Sequence, residues 1–154
     1  MSEYNELYQQ TILEHNKNPR NFKATENATC LAYGKNPLCG DEYAVYVNLD
    51  EAGQIESVSF QGDGCAISKA SASMMTVNVK GKSKADAEQL KREFQQMLTK
   101  ELDPKQAKHH LGRLTIFEGV KEYPARVKCA TLCWHTLVAA LDGVAEISTE
   151  ALNK

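Results

Sequence analysis

The 154-residue chain is short of features that would each have placed it in a particular class. No apolar run approaches the roughly 20 residues of a membrane-spanning helix. Met1-Ser2-Glu3-Tyr4-Asn5 has neither the basic nor the apolar region of a secretory leader, so a cytoplasmic protein with no membrane partner is expected. Charge of one sign is not in excess: 18 Lys and Arg stand against 20 Asp and Glu, interspersed, and the net charge of -2 gives no field for nucleic acid. The five cysteines are odd in number and irregularly spaced, which does not suit a disulfide framework. There is also no compact C-x-x-C pair, the strong zinc signature. In a reducing compartment such thiols serve more often as ligands or nucleophiles. With 42% hydrophobic and 25% charged residues, one globular domain over 1–154 is expected.

The stretch from Ser59 to Ser68 stands out. Alternating residues run into Gly62-Asp63-Gly64, and a small-residue helix opens at once behind Cys65. A cysteine at a helix start meets unpaired N–H groups and the positive end of the helix dipole, which favour its thiolate. Upstream, Asn36-Pro37-Leu38-Cys39-Gly40-Asp41 reads as a turn that sets a thiol and a carboxylate two residues apart. Tyr43, Val45, Val47 and Leu49 alternate, Asp50-Glu51-Ala52-Gly53 turns the chain, and alternation resumes from Ile55 to Gln61, which predicts an antiparallel hairpin. Its strands run in opposite directions, so Cys39 and Asp41 are expected near Cys65.

Elsewhere Tyr4, Leu7, Tyr8 and Ile12 predict a first helix ending near Asn18-Pro19, and Thr29 to Gly34 a short strand in which Cys30 is structural. Ser83 opens a helix that continues through Ala87, Leu90, Phe94, Met97 and Leu98. His109 and His110 point about 100° apart if helical and are read as surface residues. A short segment is expected from Thr115, stopping at Gly119. A last helix follows, opening near Cys129 with Arg126 and Lys128 beside it and ending at Gly143; Met74 and Met75 read as core, and the tail from Glu146 carries no motif. Cys39, Cys65 and Cys129, joined by Asp41, form a ligand set that suits tetrahedral zinc and is compatible with an iron-sulfur cluster.

Five segments together resemble the IscU/NifU N-terminal-domain superfamily of iron-sulfur cluster assembly proteins: Asn18-Pro19-Arg20-Asn21, Asn36 to Asp41, Gly62 to Ser68, Ala70 to Met75, and Pro124 to Leu132. Two features are similar to its SufU branch. One is the polar helical stretch at about 83–112, which resembles that branch's insertion. The other is Lys128, where scaffold-type IscU proteins carry a histidine before the last cysteine.

The resemblance implies an α+β fold, a small antiparallel sheet with helices on one face, and Zn2+ held by Cys39, Asp41, Cys65 and Cys129. It further implies a zinc-dependent sulfurtransferase that accepts persulfide sulfur at Cys39 from a SufS-type cysteine desulfurase, whose histidine displaces Cys39 from the zinc. Downstream iron-sulfur assembly proteins would receive the sulfur. Arg126, within the motif, and Lys128 would border the site. Cys133 departs from the branch's usual serine and is a candidate extra thiol, set against a neutral core substitution that the helical spacing favours. The alternative function is an IscU-like scaffold for a transient [2Fe-2S] cluster on the same ligands, against which Lys128 argues.

Overall fold

A computed structural model describes the backbone of residues 3–149 and the side chains from residue 10 onward. Helix α1 (Glu3–Lys17) ends where Pro19 disfavours helix in its predecessor; Ile12 is buried as expected, and the side chains of Tyr4, Leu7 and Tyr8 lie outside the described residues. Strands β1 (Cys30–Asn36), β2 (Asp41–Leu49) and β3 (Ile55–Asp63) form an antiparallel meander. Then come α2 (Ala66–Val79), α3 (Lys84–Leu98), a run of 3₁₀ turns (Gly112–Glu122), α4 (Pro124–Leu141) and β4 (Glu146–Ser148).

The sheet order is β3-β2-β1-β4. The first three strands pair antiparallel as expected. The tail, read from sequence as without motif, adds β4 parallel to β1, so the sheet of this α+β fold is mixed. Helices α2 and α4 pack on one face of the sheet. Inward residues Ala32, Gly34 and Asn36 of β1 and Tyr43, Val45 and Val47 of β2 are buried, while Leu31, Tyr33 and Lys35 face outward. Gly34 lets α4 approach closely, since a Cβ there would stand 2.0 Å from Thr136 Oγ1.

Trp134 of α4 stacks on Phe94 of α3 with centroids 5.2 Å apart, and Phe94 meets Phe117 edge-on at 5.6 Å. Each buried aromatic contributes on the order of 2 kcal/mol, so this trio fastens α3 and the 3₁₀ run to α4. The segment expected to start at Thr115 and stop at Gly119 instead starts at Gly112 and passes through Gly119. Leu114, Phe117 and Val120 recur every third residue and are fully buried, which is the period of a 3₁₀ helix. His110, though exposed, binds the buried Glu93 through both its backbone N–H (2.6 Å) and Nδ1 (2.8 Å), pinning the connection behind α3.

Candidate metal centre

Asn36 and Asp41 face each other in the β1–β2 register, so residues 37–40 are the turn between them. The Asn36 carbonyl accepts from the N–H groups of Cys39 (3.2 Å) and Gly40 (2.8 Å), and Gly40 takes a φ of 75° that favours glycine. This leaves Cys39 exposed at the tip and Asp41 wholly buried at the first position of β2.

The other end of the hairpin arrives as predicted. Glu42 pairs with Asp63 and Tyr43 with Gly62, and the Cys65 N–H donates to Asp41 Oδ1 at 2.9 Å. Two glycines make the approach feasible. Gly62 has a φ of 142°, and a Cβ there would meet the Glu42 carbonyl oxygen at 2.1 Å. A Cβ on Gly64 would lie 2.4 Å from Ser68 Oγ, 2.5 Å from the Tyr43 hydroxyl and 2.7 Å from Asp41 Oδ1.

Cys65 is the N-cap of α2, its sulfur accepting from the Ser68 N–H at 3.4 Å. The neighbouring Cys129 thiol, and with it that N–H, pull the Cys65 thiol well below its ordinary value, which favours its thiolate. Tyr43 and Ser68 share a 2.8 Å hydrogen bond behind it, and burial raises the Tyr43 hydroxyl above its ordinary value.

Cys129 differs from the expectation. Helix α4 opens at Pro124, a favourable first-turn residue, so Cys129 lies in the second turn rather than at the opening. Hydrogen bonding with Cys65, then burial, push its thiol upward. It lies 3.3 Å from Cys39 Sγ and accepts from Asn36 Nδ2 at 3.6 Å. The Arg126 guanidinium is exposed, and the neighbouring Cys129, with Cys65 and Cys39, raises its basicity.

Ligand atoms of Cys39, Asp41 and Cys129 lie within 4.8 Å of one another, and Cys65 bonds to members of this group without belonging to it by that distance. Asp41 is buried yet forms no ion pair among the described residues. A buried carboxylate facing sulfur donors with no counter-charge of its own suits a bound cation, and sulfur with one oxygen suits zinc.

Cys30 lies at the start of β1, against the core. Cys133, the candidate extra thiol, is buried between α2 and α4, 3.5 Å from Ser71 Oγ, with burial pushing it up to about 12; it stands outside the donor group. Lys128 is half-buried, and its side chain makes no hydrogen bond or ion pair with a described residue. Asn36, Tyr43, Ser68 and Thr149 border the site without having been singled out. Asn36 was visible only as a turn residue, and Thr149 gave no signal.

Residues 7–130 match the family model described as the NifU-like N terminal domain. The chain belongs to that family. A relative from Bacillus subtilis (strain 168), named zinc-dependent sulfurtransferase SufU, is 42% identical over 132 residues, covering 85% of this chain and 86% of the relative. A relative from Streptococcus pyogenes serotype M1, named iron-sulfur cluster assembly scaffold protein IscU, is 38% identical over 141 residues, 92% of this chain and 86% of its own. Among solved structures, a protein from Fervidobacterium islandicum AW-1, titled as an iron-sulfur cluster assembly scaffold for the SUF system, superposes with a TM-score of 0.78 at 35% identity, covering 92% of this chain and 96% of that one. This NifU-like domain therefore carries its donor group on a scaffold shared with both named types, and no helix among its described residues is long and apolar enough to cross a membrane.

Proposed function

We propose that this NifU-like domain is a zinc-dependent sulfurtransferase of the SufU type, taking persulfide sulfur from a SufS-type cysteine desulfurase for iron-sulfur cluster biogenesis in the cytoplasm. The observation that carries the reading is the exposure of Cys39 among donors that are buried or half-buried. A fixed structural site has no use for an exposed thiol on a glycine-jointed turn, whereas a sulfur acceptor must be reached by its donor. The Bacillus subtilis relative's name supports it. Cys39, Asp41, Cys65 and Cys129 would hold the zinc, which supplies the positive charge that keeps thiols deprotonated and quiet.

The chain's own residues then divide the work. Asp41 and Cys65 tie the hairpin end to the α2 N-terminus, Arg126 steadies the sulfur charge at the rim, and Cys39 performs the exchange. In that step the Cys39 thiolate attacks the outer sulfur of the donor's persulfide. A new S–S bond forms at Cys39, the donor's S–S bond breaks, and the donor cysteine leaves as thiolate with no net oxidation. The stretch at about 83–112 is taken as the branch's insertion, and downstream iron-sulfur assembly proteins as recipients.

The second reading, a scaffold for a transient [2Fe-2S] cluster as cargo, is favoured by the Streptococcus pyogenes relative's name and by the sulfur-rich donors. The deciding experiment is turnover of the desulfurase on free cysteine, iron excluded, with and without the zinc-loaded chain. Strong stimulation that vanishes in a folded Cys39→Ser variant is expected. No stimulation, with a cluster forming once iron is added, moves the assignment to scaffold. Loss of folding and transfer together in Cys39→Ser makes the metal purely structural.

A further inference from the structure

Asn36 is wholly buried, yet its side chain belongs to no backbone ladder. Its Nδ2 faces Cys129 Sγ at 3.6 Å and Asp41 Oδ2 at 3.5 Å, and its Oδ1 meets the Thr149 hydroxyl at 3.0 Å. Direction follows from chemistry. A carboxylate can only accept, so the amide must present both N–H groups to Asp41 and Cys129, and its oxygen can then only receive the Thr149 hydroxyl's proton. Thr149 is itself fixed: it is 3% exposed, and its N–H donates to the Lys35 carbonyl at 3.0 Å, extending the pairing of β4 with β1.

We infer that Asn36 is a positioning residue of the metal centre, held in its one useful orientation by Thr149, so that the C-terminal strand is a working part of the site. This rests on reading Asp41 and Cys129 as ligands. Three thiolates and a carboxylate around a dication would leave excess negative charge on donors of which Asp41 and Cys129 are buried. Two amide N–H groups aimed at one sulfur and one carboxylate oxygen spread that charge and fix both donors' directions. The Thr149 hydroxyl reinforces the direction that the two acceptors favour: a half-turn would set the amide oxygen against Asp41 and Cys129 and leave the hydroxyl without its acceptor.

The test uses the full-length chain loaded with cobalt(II) or zinc and needs no desulfurase. Thr149→Val keeps the shape and removes the hydroxyl; Thr149→Ser restores it. Asn36→Asp keeps an acceptor for Thr149 while replacing the donor group with oxygen, so it reads the same interaction from the other end and decides the matter if Thr149→Val does not fold.

Zinc affinity, measured by chelator competition, is expected to fall about 10- to 100-fold in Thr149→Val and Asn36→Asp, with a shift of the sulfur-to-cobalt charge-transfer band, and to return to wild type in Thr149→Ser. Affinity within twofold of wild type and an unmoved band in a folded Thr149→Val or Asn36→Asp would overturn the inference. Equal loss in Thr149→Val and Thr149→Ser overturns it as well, because the methyl packing would then be what matters. A wild-type chain that binds neither ion removes the ground for it. Intact metal effects in a chain that stimulates no desulfurase refute only the sulfur-transfer reading.

Discussion

Gly64→Ala tests how tightly the site is built. The glycine's backbone lies outside the positive-φ region, so alanine fits the dihedrals and space alone decides. The added methyl would stand 2.4 Å from Ser68 Oγ, 2.5 Å from the Tyr43 hydroxyl and 2.7 Å from Asp41 Oδ1. Ser68 Oγ is the end of a short side chain and can swing away. The Tyr43 ring is 2% exposed and packed against Phe60, and Asp41 is tied to the Cys65 N–H, so neither yields without moving the loop.

Overpacking of this kind costs about 1–3 kcal/mol, while alanine's smaller unfolded-state entropy returns about 0.4–1 kcal/mol. The net expectation is a loss of about 1–2 kcal/mol, seen as a fall in Tm of about 3–6 °C for a domain of this size, with zinc affinity down about tenfold because Asp41 is displaced. Tyr43→Phe deletes the atom at 2.5 Å. Alone it loses one hydrogen bond to Ser68, at about 1 kcal/mol, but combined with Gly64→Ala it should relieve the clash. Urea unfolding of the four chains gives the coupling, expected near 1 kcal/mol. Additivity within about 0.5 kcal/mol, or a Gly64→Ala chain of unchanged stability and affinity, refutes the close-packed cradle.

His135 is half-buried near Lys91, and desolvation lowers its imidazole to about 4. The unfolded chain takes up that proton as pH falls through about 6.5 and the folded chain does not until about 4, so stability is full above the upper value and should decline by up to about 3 kcal/mol across the window. Denaturation as a function of pH should show a shallower decline in His135→Gln, and identical slopes would disprove the assignment. Cys133→Ser should leave zinc affinity and sulfur transfer unchanged and shift Tm by only a few degrees, since the serine keeps the Ser71 and Ala130 partners. Lost transfer in a folded Cys133→Ser would make it a second acceptor after all.

The elements legible in the sequence were those whose reasons are local. Alternation marked β2 and β3, Ser83 capped α3 through the Asp86 N–H as its sequence position suggested, and Gly143 with a φ of 76° followed the end of α4. Strand β4 was not legible. Its three residues have no alternation to detect, and they extend because the β1 edge, more than a hundred residues upstream, offers them partners. The 3₁₀ run was misread for a related reason: Gly119 ends a helix only if nothing holds the turns beyond it, and buried Val120 does.

The same division runs through the site. The meeting of Asp41 with Cys65 could be foreseen because a hairpin's geometry is short-range and the capping of α2 is a property of adjacent residues. Cys129 could not be placed by spacing, since only α4 lying across β1 and β2 brings its sulfur to Cys39. Proximity to Arg126 favours a thiolate at Cys129, while hydrogen bonding with Cys65 and burial push its thiol upward, a balance that only the assembled site sets. A centre whose donors come from a turn, a strand, a helix cap and a distant helix is therefore read from sequence one local piece at a time, and the charge each donor carries is settled only where the pieces touch.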